Sequence, residues 1–178
     1  DEIKRIQTGV QLKGGRRAAW YDLYYSTCEY GVKLHGDLDA GNGGNGDECR
    51  DNLWQGGKVE FCTTKGIEIL YEDAFVGHIN IVDVGLENST GTALSFVGAR
   101  FCRSDSCWFD ANTTHIRIED DVPETPNNTV DTVYFCDCGI NDGAIIIEDE
   151  AQNVVFERVD FKNVDVTLTQ PTANITTI

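Results

Sequence analysis

Four groups of residues have the types and spacing to do chemistry. The first is "GDLDAGNGGNGDECRDN" from Gly36 to Asn52. Counting Asp37 as position one, Asp39 falls at three, Asn45 at nine and Glu48 at twelve. Carboxylate and amide oxygens so spaced are what a calcium ion takes. The run departs from a calcium loop at Gly41 and Asn42, and Gly–Asn alternation also suits a plain surface loop. Calcium is the one ion the sequence suggests, and no cofactor is required.

The second group is the seven cysteines: Cys28, Cys49, Cys62, Cys102, Cys107, Cys136 and Cys138. "CRSDSC" and "CDC" lack the spacing of zinc ribbons, and the histidines His35, His78 and His115 are scattered. Disulfides are the expectation, with Cys102–Cys107 as a local pair and the partners of the other five open. An odd count leaves at least one thiol free or paired between chains. The third group is four N-x-[ST] sequons at Asn88, Asn112, Asn127 and Asn174. Cysteines and sequons together point to an extracellular, glycosylated protein. The fourth is carboxylate runs, "RIEDD" with Glu119, Asp120 and Asp121, and "EDE" at 148–150. Paired carboxylates can act as acid and base. Among 30 acidic residues such neighbours also arise by chance, as solvated strand ends.

The bulk numbers restrict the partners. With 14 basic and 30 acidic residues the formal charge is −16, which disfavours nucleic acid and anionic membrane surfaces. No apolar run is long enough to span a membrane. The chain starts at Asp1 and has no Met, which fits a removed leader or a partial chain.

The elements that must position these groups read as strands. Helical periodicity is almost absent. Apolar, alternating runs such as "GIEILYED", "HINIVDVGLEN", "TALSFVGARFC", "TVYFCDCGI" and "VVFERVDF" are separated by "ENSTGT", "DANTT" and "NDG". The chain is all-β, a single domain over 1–178. "AAWYDLYYSTCEYG" is aromatic on both alternating faces, Trp20 and Tyr24 on one, Tyr21 and Tyr25 on the other. It reads as a core strand covered on both sides, an interface or a sugar platform.

A weak repeat is present. Phe-Cys recurs at Phe61, Phe101 and Phe135, in steps of 40 and 34 residues, each time followed by apolar and acidic residues. Between Lys58 and Leu168 this strand rhythm, with Phe or Leu turned inward and Asn-rich corners, resembles the right-handed parallel β-helix proteins of the pectin-lyase-like superfamily. The resemblance implies a right-handed parallel β-helix over 58–168, with 1–57 as a cap or non-repeat part and 169–178 as a strand-like tail. An antiparallel β-sandwich or jelly roll stays as the alternative. The resemblance also raises polysaccharide cleavage. The chain departs from it there, because no Gly-His-Gly or Arg-Ile-Lys accompanies the acids and no arginine sits in a lyase-like setting.

Three function classes stand at this stage. One is a secreted, glycosylated structural protein that assembles head-to-tail into a filament or surface layer. The others are a polysaccharide-active lyase or hydrolase and a non-catalytic glycan-binding module. The strand-like ends "DEIKRIQTGVQL" and "VDVTLTQPTANITTI" favour the first. A terminal strand needs a partner edge, and a second copy supplies one.

Overall fold

A computed structural model describes residues 6–36, 48–71, 74–119, 130–147, 151–168 and 175–178. Every regular element among them is a strand, and all join one 18-stranded sheet in which each recorded pairing is parallel. The arrangement is consistent with a β-helix-like class. The parallel pairings displace the antiparallel sandwich or jelly roll.

The chain passes repeatedly through the same three ladders. The first passage holds β1 (Ile6–Lys13) and β2 (Ala19–Ser26). The second holds β3 (Cys28–Gly36), β4 (Cys49–Arg50) and β5 (Leu53–Glu60), and the third β6 (Lys65–Tyr71), β7 (Val76–Gly77), β8 (Asn80–Val82) and β9 (Gly85–Glu87). The fourth holds β10 (Thr92–Val97), β11 (Arg100–Asp105) and β12 (Trp108–Asp110). The fifth holds β13 (Thr114–Glu119), β14 (Asp131–Cys136) and the start of β15 (Gly139–Ile147). The rest of β15, then β16 (Gln152–Glu157) and the start of β17 (Asp160–Leu168), form the sixth. The end of β17 and β18 (Ile175–Thr177) form the seventh. Strands from 6 to 57 share these ladders, since β1 pairs β3, β3 pairs β6 and β2 pairs β5.

One rung shows the register. Val10, Val32, Ile67, Leu94, Ile116, Ile145 and Val166 are successive partners on the first ladder. Their β-branched and leucine side chains stack inward, and from Val32 to Ile145 they are buried. A second rung places Trp54, Ile81, Ser104, Phe135 and Phe156 in line. Here Phe135 stacks on Phe156 at 5.0 Å between ring centroids and meets Phe96 edge-on at 6.1 Å.

Three kinds of corner separate the ladders, and their chemistry is regular. Each carries one residue in the left-handed backbone region, and each such residue is followed by one that turns inward. The first set is Arg17, Asp51, His78, Phe101, Thr132 and Asn153. The second is Asp22, Gly56, Asp83, Ser106, Asp137 and Arg158. The third is Thr27, Phe61, Asn88, Ala111, Asp142 and Asn163. Asp and Asn, which tolerate this conformation, make up much of the list. The strain is offset because the corner amide stays on the ladder. Asp83 N donates to Asp105 O at 2.9 Å, Asn88 N to Asp110 O at 3.0 Å and Asp137 N to Glu157 O at 3.0 Å.

These corners correct two sequence expectations. At Asp22 the left-handed residue resets the alternation of β2. Trp20, Leu23 and Tyr25 pack against the core, while Tyr21 and Tyr24 are exposed. The strand is therefore covered on one side, not both. The Phe-Cys repeat does not mark one position of the coil either. Phe61 and Phe101 sit exposed on two different corners, and only Phe135 points into the core.

Candidate functional site

The core opens to solvent at the last passage. On the first-ladder rung, Ile116 and Ile145 are 0% and 1% exposed, but Val166 is 55% exposed. Leu168 and Phe161 are exposed beside it. Ile145, Phe156, Phe161, Val164, Val166, Ile175 and Thr177 line a cavity of about 190 Å³ that opens there. Among the described residues, β17 pairs only with β15 and β18 only with β16. At the opposite end, β1 pairs only with β3 and β2 only with β5. Each end thus presents backbone donors and acceptors of the same polarity, because every ladder is parallel.

A buried ion cluster lies on the outer side of the first ladder. Alternation turns Lys33 and Glu68 outward as cross-strand partners. Glu68 Oε1 accepts from Lys65 Nζ at 2.8 Å, and Oε2 lies 3.2 Å from His35 Nε2 and 3.8 Å from Lys33 Nζ. Lys33 Nζ also sits 3.4 Å above the Tyr30 ring. His35 and Glu68 are both screened from solvent. Burial pushes the Glu68 carboxyl up, but the hydrogen bonds and charges of His35 and Lys65 outweigh it and bring the pKa down to about 2. The cluster holds a carboxylate fixed and ionised. That carboxylate offers no proton near neutral pH, and the cluster reads as structural.

A second polar ladder faces outward along Ser26, Glu60, Glu87, Asp110, Asn141 and Lys162. Lys58 Nζ bridges Glu60 and Glu87 at 2.8 Å each, and the Tyr24 hydroxyl donates to Glu60. Next to it Trp108 is half exposed, and its indole lies across Gly139. A Cβ at Gly139 would come within 2.3 Å of the ring, so only glycine leaves room for it.

The expected chemical groups fall in different places. Asp37, Asp39 and Asn45 of the calcium loop lie outside the described residues. Glu48 is described, and its Oε2 lies 2.9 Å from Arg16 Nη2 and 3.0 Å from Arg50 Nε, so its charge is already met. Asp120 and Asp121, like 148–150, lie outside the described residues, and Glu119 pairs with Arg117. A different cluster does form at a second-type corner, where ligand atoms of Asp105, Cys136 and Asp137 lie within 4.8 Å of one another. Arg158 lies against it. Its Nη2 donates to Cys136 Sγ at 3.0 Å and to Asp137 Oδ2 at 2.8 Å. Those bonds, with a lesser one from Cys136, lower Asp137 to about 2. A guanidinium thus takes the place a cation would fill.

All seven cysteines are free thiols and buried in this structure, so none of the expected disulfides is formed in it. The proposed local pair fails on geometry. Cys102 lies within β11, which runs extended to Asp105, so about 10 Å of strand separates it from the turn before Cys107. A disulfide needs Cα atoms about 4.4–6.8 Å apart. Burial raises Cys49 and Cys62 to about 11 and Cys102 to about 12. Cys136, also raised by burial, donates to Asp137 Oδ2 at 3.3 Å.

Of the sequons, Asn127 and Asn174 lie outside the described residues. Asn88 occupies a third-type corner. Asn112 is 2% exposed and knits two passages together. Its Nδ2 donates to Leu86 O at 2.7 Å and lies 3.1 Å from His115 Nδ1, while Oδ1 accepts from Ser89 N at 2.9 Å. Both amide hydrogens are thus in use on the atom that N-glycosylation would modify. The expectation at Asn112 does not fit this packing. Asn52 plays the same part at a first-type corner, accepting from Ala18 N at 2.8 Å and donating to Gly15 O at 3.1 Å. Sequence reading missed both roles. Each asparagine follows a left-handed corner residue, Ala111 and Asp51, a backbone state that the sequence does not display.

No protein-family model, no curated protein and no solved structure matches the chain. The functional reading therefore rests on the geometry.

Proposed function

We propose that this chain is an extracellular structural module, a parallel β-helix that assembles head-to-tail with further copies of itself. The observation that carries the reading is the open rung at the last passage. Val166 and Leu168 end the same two rungs of the first ladder that Val10 and Leu12 begin. A second copy set on β17 would continue both rungs and pair the free edge. Charge favours that occupant. Residues 1–17 carry Lys4, Arg5, Lys13, Arg16 and Arg17 against Asp1 and Glu2, with Arg16 already paired to Glu48. Glu148, Asp149, Glu150, Glu157, Asp160 and Asp165 oppose only Arg158 and Lys162 near its end. Such a contact is heterologous and propagates as a filament unless its rotation closes a ring.

Sedimentation and electron microscopy test it. The wild-type chain is expected to grow in particle mass with concentration, and V166K/L168K to stay monomeric with an unchanged far-ultraviolet circular dichroism spectrum. A wild-type monomer up to about 100 µM would end the reading.

Glycosylation belongs to the same proposal. Secreted from a eukaryotic host, the protein is expected to carry glycan at Asn88 and none at Asn112. Peptide mapping after enzymatic deglycosylation, which converts a modified Asn to Asp, reads both sites. Conversion at Asn112 would contradict its buried amide.

A second reading, a non-catalytic glycan-binding module, has its own observation in the half-exposed Trp108 beside the polar ladder. Aromatic faces stack on sugar rings. Neutral oligosaccharides should then shift the tryptophan fluorescence of the wild type and not of W108A. An unchanged wild-type signal at millimolar sugar removes this reading.

A further inference from the structure

Cys107 and Cys138 stand on one rung of consecutive passages. Each directly follows a left-handed corner residue, Ser106 and Asp137, and so turns inward, where they are 1% and 2% exposed. Their register is fixed by the pairing of Trp108 with Gly139 and by the bond from Gly139 N to Cys107 O at 3.0 Å. In-register neighbours on parallel strands lie about 4.8 Å apart, inside the Cα range a disulfide accepts. The closeness of the two thiols holds the proton on Cys107 and eases its loss from Cys138. Around them the polar atoms are carbonyls: Ile81 O lies 3.4 Å from Cys107 Sγ, and Ser104 O lies 3.6 Å from Cys138 Sγ. Among the described residues, neither sulfur belongs to a group of possible metal ligands.

We propose that Cys107 and Cys138 form an inter-coil disulfide when the chain folds under oxidising conditions. Two S–H bonds break and one S–S bond forms. The two protons go to solvent, and the two electrons reduce a small disulfide oxidant, such as oxidised glutathione, to two thiols. The bond would tie the fourth passage to the fifth across the whole stretch from Trp108 to Asp137. The proposal stands whether or not copies assemble.

Because the folded pair is sealed, the test starts from unfolded chain. Reduced, denatured protein is refolded in a glutathione redox buffer, and the folded fraction is isolated, denatured and alkylated without reductant. Peptide mapping is expected to find Cys107 joined to Cys138, and reductant is expected to return both as alkylated thiols. The bridged protein should melt about 5–10 °C above C107S/C138S, and the gap should close when reductant is added. If that variant does not fold, the wild-type map decides alone. Cys107 and Cys138 both alkylated in the folded fraction, or joined to other cysteines, would overturn the proposal.

Discussion

Replacing Phe135 with alanine is expected to cost about 3–5 kcal/mol, while the same change at Phe61 or Phe101 shifts stability by about 0.5 kcal/mol or less. The three share the same dipeptide, Phe-Cys. Only Phe135 is 0% exposed, stacked on Phe156 and edge-on to Phe96. Its removal deletes a large apolar surface and opens a void between consecutive rungs that the sheet backbone cannot collapse to fill. Phe61 and Phe101 stand on corners and about half of each is in water. Urea denaturation of the three single variants measures the contrast. Equal losses at all three would mean that the register given for the second and third ladders is wrong.

The second large effect belongs to Glu68. Its pKa falls from an ordinary 4.5 in the unfolded chain to about 2 in the fold. A depressed carboxylate contributes stability that is complete above the unfolded value and lost as pH drops through the folded one. The window is therefore about pH 4.5 down to pH 2, and the contribution above it is about 3 kcal/mol. E68Q should lose about that much at pH 7, because Lys65, Lys33 and His35 then lack their anion. The gap between wild type and E68Q should shrink steadily as pH falls below 4.5. Urea titrations at pH 7, 4.5 and 3 read it. A gap that does not change with pH would show that packing, not charge, is what Glu68 supplies.

Much of the strand content was legible because inward valine, isoleucine and leucine alternate with polar residues, as in "GIEILYED". The corners were not. A left-handed residue is a backbone state, and here Asp, Asn, Thr, Arg, Phe and others all adopt it. Each one also shifts the alternation, which is why the faces assigned to Trp20, Tyr21 and Tyr24 came out mixed. The Phe-Cys repeat misled for the same reason, since its steps of 40 and 34 do not track the rungs. Along Val10 to Val166 the true steps are 22, 35, 27, 22, 29 and 21 residues. Of the candidate sites, the cysteines were seen as a set, but their separation across passages depends on register. Asn112 matched a sequon because a short amide that caps an inner corner and an acceptor for glycan are the same residue followed by threonine.

Those unequal steps arise at two of the three corners. At second-type corners the count is constant, six residues each from Trp54 to Glu60, Ile81 to Glu87, Ser104 to Asp110, Phe135 to Asn141 and Phe156 to Lys162. At third-type corners it ranges from seven, between Glu60 and Ile67, to four, between Asn141 and Ile145. Between the first ladder and the second the allowance differs each time: residues 98–99 separate β10 from β11, whereas 37–48 separate β3 from β4 and 120–130 separate β13 from β14. The larger part of the length variation thus falls at one edge of the prism, passage after passage. For protein engineering this is an addressing rule. A guest peptide spliced between Gly98 and Ala99 would enter where neighbouring passages already carry extra chain, whereas the same peptide at Asp83-Val84 or Asp137-Cys138 would break a six-residue count that the passages share. A stacked array of such chains would display its guests along a single line, at a spacing set by one copy's stack of passages.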